Sequence, residues 1–305
     1  MAPILLINEA LSVARSQVIK FKMDKRDGGK REIFQPSKKL KTLQYWSIIN
    51  IFKKLPIHSF AVAYLDGVSI LHNAKIHSDH RYFLKMDLNN FFPSIKFTDL
   101  IPLIELWHEK TSPLWILDSD AKELIRLSCF FKEDKLPIGY PSSPIISNLV
   151  MYKFDDGITK LISDKMKYGE CFYTRYADDL VFSTVKKGAC IELLNQVTTF
   201  IENNASPKIS VNKSKTKLGT STGGSVSVTG LKICSDGHIT IHRKQKDHIR
   251  LLLSLYNKGI LKEEEHNSLL GHLSYCHHVA PAFYSSLQKK YFKEIGELRS
   301  KNIKS

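Results

Sequence analysis

Residues 171–184 read CFYTRYADDLVFST, two runs rich in aromatic and β-branched residues that meet at the adjacent aspartates Asp178 and Asp179. The alternation predicts a β-hairpin. Phe172, Thr174 and Tyr176 share one face of its first strand, Tyr173, Arg175 and Ala177 share the other, and Leu180 to Phe182 run back. Aspartate is common in turns because its side chain hydrogen-bonds nearby backbone N–H groups, so an acidic tip alone is only a turn. A second acidic strand end changes that reading. Asp87 stands 178 − 87 = 91 positions earlier and closes the short apolar strand in Lys85-Met86-Asp87-Leu88-Asn89-Asn90-Phe91-Phe92. Laid beside the hairpin tip, it completes an oxygen-rich site of the kind hard Mg2+ ions take, through a few carboxylates plus substrate phosphates.

Charge points to the partner. The 305 residues carry 45 Lys and Arg against 30 Asp and Glu, a net +15, and 43% are hydrophobic, enough for one large or two interlocked domains. Such a field, with a pI near 9.4, favours a polyanion such as nucleic acid. The opening apolar run, Pro3 to Ile7, is far short of a membrane span and lacks a basic n-region. No membrane partner and a cytoplasmic location are therefore expected. The five cysteines are scattered without a C-x-x-C pair, which argues against a disulfide framework or a zinc site.

Outward from the two acidic strands, the remaining segments supply basic and aromatic surface. Residues 1–20 are roughly helical, and Lys22 to Lys41 holds eight basic residues against three acids around a turn at Asp27-Gly28-Gly29, a basic hairpin in which Arg31 can reach phosphate bidentately. Lys38 to Phe52 is expected as an amphipathic helix with Leu40, Leu43, Trp46, Ile49 and Phe52 on its apolar side. Asn73 and His77 lie four apart on one face of the next helix. Phe91 reads as core, whereas Phe92 can wall the sugar side of a nucleotide pocket; Trp107 and Trp115 read as core anchors. In LPIGYPSSPIISNLVM (136–151) a fixed loop opens a helix capped near Ser142 and Ser143, whose N-terminus can bring Gly139 close to phosphate or a template base. Ile209 to Thr216 is expected as a strand ending in lysine, and Val226 to Ile233 as another. From Gly237 onward the chain reads as helices with 12 Lys and Arg against 6 acids and interleaved aromatics.

In this order the motifs resemble those of reverse transcriptases, and within them the bacterial retron type. The general ones are GKREIFQPSKKLKTLQYW (29–46), KMDLNNFFPSI (85–95), LPIGYPSSPIISN (136–148), YTRYADD (173–179) and ISVNKSKT (209–216). The retron-type marks are Asn73-Ala74-Lys75-Ile76-His77 and Val228-Thr229-Gly230. Departures stand at Ile138, where the family usually has Gln, and at Tyr140, where a small residue is usual. The resemblance implies an α+β right-hand polymerase fold, with fingers and an antiparallel, RRM-like palm over 1–236 and a helical thumb over 237–305. It implies RNA-directed DNA polymerase activity with two Mg2+ ions, or Mn2+, held by Asp87, Leu88, Asp178 and Asp179. Lys30, Arg31, Phe92, Gly139 and Lys215 would bind the nucleotide, Phe92 as the gate against a 2′-OH. Asn73, His77, Val228, Thr229, Gly230, Lys289, Lys290 and Lys293 would contact RNA. Implied partners are dNTPs, a cognate structured non-coding RNA with its DNA copy, and a separate effector protein in defence against phage. A reverse transcriptase of another lineage (group II intron-like or otherwise defence-linked), an RNA-copying RNA polymerase and a non-catalytic RNA-binding scaffold are the alternatives; a length of 305 residues without a maturase or endonuclease extension weighs against the intron.

Overall fold

The computed structural model describes residues 4–24, 28–111 and 118–303. Lys25, Arg26 and Asp27 of the basic hairpin, and Trp115, lie outside the described residues. In chain order the strands are β1 (Ile19–Asp24), β2 (Lys30–Gln35), β3 (Tyr82–Asp87), β4 (Cys171–Tyr176), β5 (Asp179–Thr184), β6 (Lys217–Thr220), β7 (Ser225–Val228), β8 (Leu231–Cys234) and β9 (Ile239–Thr240). They form the basic hairpin β1-β2, a central sheet ordered β4-β5-β3-β6 and a small sheet β7-β8-β9, with antiparallel pairing throughout.

The acid-tipped hairpin forms as its alternation requires. Tyr176 pairs with Asp179, leaving Ala177 and Asp178 as the turn, and Ala177 takes a φ of 57° that residues with a Cβ rarely adopt. Strand β3 lies antiparallel to β5 with Asp87 opposite Asp179. Because side chains alternate across a strand, the sheet has two distinct faces. Leu84, Met86, Tyr173, Leu180 and Phe182 belong to the larger core, together with residues of the helices Ser143–Val150, Tyr152–Ile162 and Ala189–Asn203. The other face carries Asp87 and Asp179 at one end, then Phe83 and Val181, which join a second core with β7, β8 and the helices Arg243–Asn257, Glu263–Val279, Pro281–Lys290 and Phe292–Ile303.

A buried ion pair ties the sheet to the helices behind it. Arg175 and Asp155 are fully buried and meet at 2.7 Å. Tyr173 Oη donates to Asp155 Oδ1 (2.8 Å), and Arg175 Nη1 donates to Asn148 Oδ1 (3.1 Å). These bonds meet the requirement that a charge withdrawn from water be paired and hydrogen-bonded. Asn148 Nδ2 in turn donates to the Ala63 carbonyl (2.8 Å), and Val62 N–H to the Arg175 carbonyl (2.9 Å), so residues 61–64 are fixed along the edge of β4.

Several local expectations are corrected. The three-residue spacing along Lys38–Asn50 does not hold one face, because each step of three turns the helix by about 300° and nine residues reach the opposite side. Leu40 is accordingly 0% exposed and Ile49 63%, with Trp46 also exposed. Val226 to Ile233 is two strands, not one, since Thr229 (φ 44°) and Gly230 (φ 85°) form a two-residue hairpin turn with positive φ at both positions. Ile209 to Thr216 is not a strand. Apart from a bridge between Leu88 and Val211 it is a looped segment, and the strand that joins β3 is the later β6. The helix after the 136–142 loop begins at Ser143 with Ser142 and Ser143 buried; Ser143 Oγ donates to the Pro137 carbonyl (2.6 Å), so this N-terminus is packed rather than open to phosphate.

Candidate active site

The register of β3 against β5 sets the acidic centre, and the looped segment 209–216 braces it. Asn212 N–H donates to the Asp87 carbonyl (2.7 Å), and Asn212 Nδ2 to Asp87 Oδ1 (3.1 Å). Leu88 N–H donates to the Asp178 carbonyl (3.0 Å), and Asn89 N–H to that of Ser210 (2.9 Å), so β3, the hairpin tip and the loop close on one another. Lys215 Nζ lies 3.6 Å from Asp87 Oδ2. Sequence reasoning missed Asn212 as the residue orienting Asp87. Its signal was only its place in ISVNKSKT.

Three neighbouring carboxylates repel one another and are partly withdrawn from water. Burial raises the Asp178 carboxyl above its usual value, Asp87 adds to the rise, and Arg31 and Lys215 oppose it. Burial, with the charges of Asp178 and Asp87, lifts Asp179 to about 6 against the opposing pull of Lys85. Such a donor set, all hard oxygen and short of countercharge, fits divalent cations. Among the described residues the three are not within 4.8 Å of one another. The His, Cys and acid side chains that are so close, Cys234, Asp236 and His238, sit in the β8–β9 turn, where His238 Nδ1 and Asp236 Oδ1 are bonded at 2.7 Å.

Asp87 and Asp178 line a cleft of about 710 Å³ between the central sheet and the basic hairpin. Lys30, Arg31, Phe92 and Lys215, expected at the nucleotide, all line it; so do Lys132, Lys135 and Tyr64, which were not singled out from sequence. Phe91 is buried, as its core assignment requires, while Phe92 is half-buried with its ring 6.3 Å from that of Tyr64. Gly139 is a correction. It does not line the cleft; with φ 104° it approaches β2, where a Cβ would come within 2.7 Å of the Phe34 carbonyl oxygen. Its bareness lets the loop pack on the basic hairpin, where Phe34 N–H donates to the Ile138 carbonyl (2.8 Å). Tyr140 is buried with Leu11, Ala14 and Leu40, outside the cleft.

The residues expected at RNA divide. Lys289, Lys290 and Lys293 are exposed, the first two ending one helix and the third beginning the next. Asn73 and His77 are fully buried and present nothing to solvent, a correction to the RNA contact that the resemblance implied for them. His77 Nδ1 bonds Ser183 Oγ and Nε2 bonds Thr174 Oγ1, each at 2.7 Å. Thr174 donates to Asn73 Oδ1 (2.7 Å), and Asn73 Nδ2 donates to Thr229 Oγ1 (3.4 Å). Val228 is buried, Thr229 half-buried and Gly230 exposed. The two retron-type motifs thus meet each other and the central sheet, on the same sheet face as Asp179.

The family described as reverse transcriptase (RNA-dependent DNA polymerase) matches residues 23–256. The chain is 42% identical over 280 residues to the retron Ec73 reverse transcriptase of Escherichia coli, covering 90% of this chain and 87% of that one. It is 35% identical over 292 residues to the retron Ec83 reverse transcriptase of the same organism, covering 93% and 88%. Among solved structures it is similar to apo telomerase from Candida tropicalis truncated from its C-terminal domain, with a TM-score of 0.50 and 15% identity. That likeness covers 74% of this chain and 55% of the telomerase chain and speaks for the fold alone. The fold is the right hand of polymerases: the β4-β5-β3-β6 sheet is the palm, the basic hairpin belongs to the fingers, and the C-terminal helices make the thumb. With its acidic centre on the palm strands and basic walls over the cleft, the chain belongs to the retron-type reverse transcriptases, which are RNA-directed DNA polymerases.

Proposed function

We propose that this enzyme uses a dedicated structured non-coding RNA as both primer and template, adding deoxynucleotides from dNTPs to a 3′ or 2′ hydroxyl with release of pyrophosphate. The product is a covalent RNA–DNA hybrid, made in the cytoplasm, and the enzyme acts with a separate effector protein in defence against phage. The observation that carries the chemistry is the register placing Asp87 opposite Asp179, beside the Asp178 turn, at the floor of a cleft walled by Lys30, Arg31, Lys132 and Lys135. Two Mg2+ ions, or Mn2+, held by Asp87, Asp178, Asp179 and the Leu88 carbonyl, would lower the pKa of the attacking hydroxyl and steady the leaving pyrophosphate. Asn212 and Lys215 hold Asp87 in place, Lys30 and Arg31 neutralise triphosphate charge, and Phe92 bars a 2′-OH. Exposed Lys289, Lys290 and Lys293 on the thumb contribute to the grip on RNA phosphates.

The choice of a retron RNA is supported by the retron relatives and by the net charge of +15. It is tested by purifying the protein from its host, extracting the bound nucleic acid and digesting it with RNase or DNase. The reading expects one species that shortens with either nuclease and whose RNA and DNA stay joined after denaturation. RNA alone, or DNA separable from RNA by denaturation, contradicts it.

A further inference from the structure

Tyr64 is an aromatic of the cleft with a hydrogen-bonding hydroxyl, and the reaction as described above leaves it without a task. It is 48% exposed, and its φ of 62° is an outlier for a bulky residue. Such strain persists only where the surroundings impose it. Here the imposing elements are visible. Ala61 bridges Arg175, Val62 donates to the Arg175 carbonyl, and the Ala63 carbonyl accepts from Asn148, so the buried Asp155–Arg175 pair fixes the backbone leading to Tyr64. The Tyr64 ring is 6.3 Å from Phe92 on one side and 6.3 Å from Tyr176, next to the acidic turn, on the other. It therefore neighbours both the Phe92 wall and the hairpin that carries Asp178, and lines the same cleft.

That position has a chemical meaning, resting on the assignment of Phe92 as the sugar gate. The 2′ carbon of a nucleotide lies on the minor-groove edge of its base pair, so a residue beside the gate faces that edge. Purine N3 and pyrimidine O2 are hydrogen-bond acceptors there in correct pairs of either kind, which makes the edge poor for reading sequence and suitable for checking pair geometry. A mismatch displaces the acceptor, whereas a correct pair of any sequence keeps it in place. We infer that the Tyr64 hydroxyl donates to a minor-groove acceptor of the nascent base pair and sets insertion fidelity. Like any tyrosine near neutral pH, its phenol carries a proton to donate.

The test is single-turnover insertion by the full chain, wild type and Tyr64→Phe, on an RNA-templated primer. The nascent pair carries either a natural purine or its 3-deaza analogue, in which N3 is replaced by C–H. Loss of one neutral hydrogen bond corresponds to about tenfold. Wild type is expected to lose about tenfold in kcat/KM on the 3-deaza purine. Tyr64→Phe should lose the same factor on the natural purine, be indifferent to the replacement, and discriminate about tenfold less against mismatched dNTPs. Equal sensitivity of the two enzymes to the analogue, or unchanged discrimination in Tyr64→Phe, overturns the inference. Asp178→Asn run alongside separates this from the underlying reading: insertion by that variant at the wild-type rate would defeat the acidic-site assignment, and the role of Tyr64 with it.

Discussion

The proposed exclusion of a 2′-OH rests on a single side chain, Phe92. Its ring is half-buried, backed by Phe91 at 5.4 Å and flanked by Tyr64, so truncation opens space toward the cleft without emptying the core. Phe92→Ala is predicted to admit ribonucleotides while dNTP insertion continues, lowering the dNTP/rNTP preference by at least tenfold. Competing insertion of matched dNTP and rNTP measures it, and an unchanged ratio in a folded, active variant returns Phe92 to the core. The meeting of the three acids, and the place of Lys30, Arg31 and Lys215 along one cleft, were legible in the sequence because metal and phosphate chemistry restricts which side chains are worth looking for. Asn212, Tyr64, Lys132 and Lys135 were not. Each owes its place to a loop or strand edge carried to the cleft by long-range packing, and no local periodicity encodes that. Gly139 was misread for the same reason, since its neighbour across space, Phe34, lies over a hundred positions away.

Between the helix Ile70–Ile76, strands β4 and β5 and the β7–β8 turn, the hydrogen bonds of Asn73, His77, Thr174, Ser183 and Thr229 form one buried hub. Ser183 follows Asp179 by four residues on the same face of β5, about 13 Å along the strand. The hub therefore joins the sheet β7-β8-β9 to the strand that begins at the acidic centre. Burial, with a smaller push from His80, lowers His77 to about 3, so it is neutral in the folded protein. Between pH 6.5 and 3 the unfolded chain binds a proton that the folded chain refuses, and stability falls as pH drops through that window. Going from pH 7 to 4.5 is predicted to cost wild type about 2–3 kcal/mol from this group. Denaturant melts at the two pH values measure it by difference: His77→Gln, weaker at pH 7, should lose less on acidification, and parallel losses would mean that His77 is not the group responsible. At this scale the sequence was legible where period and turn chemistry agree, as in the YADD hairpin. It failed where a tertiary bond overrides propensity: Thr229, β-branched at φ 44°, is held by Asn73 and by donating to the Ile70 carbonyl (3.4 Å), and neither partner is near it in sequence.

Over the whole molecule the chain pairs a net charge of +15 with an acidic centre, and the proposed function gives the two different steps. A basic surface of this kind can grip phosphate without reading sequence, and affinity for RNA is predicted to fall steeply with salt as condensed counterions are displaced. Neutralising Lys289, Lys290 and Lys293 to Gln should reduce the slope of log K against log salt by about 2, at roughly 0.7 to 0.9 for each phosphate no longer neutralised. An unchanged slope moves the phosphate grip away from the thumb. Among the described residues no helix is long and apolar enough to cross a membrane. The acidic centre makes a sharper claim, that RNA-directed DNA synthesis depends on the carboxylates which β3 and the β4–β5 turn bring together. Asp178→Asn keeps the size and hydrogen-bonding reach of the side chain and removes its charge, so fold and RNA binding should survive. The most direct measurement is dNTP incorporation on a primed RNA template by wild type and Asp178→Asn, with RNA affinity determined on the same preparations. The account predicts a loss on the order of 10³ or more in rate, several kcal/mol of transition-state stabilisation, at nearly unchanged affinity; synthesis within tenfold of wild type would contradict it.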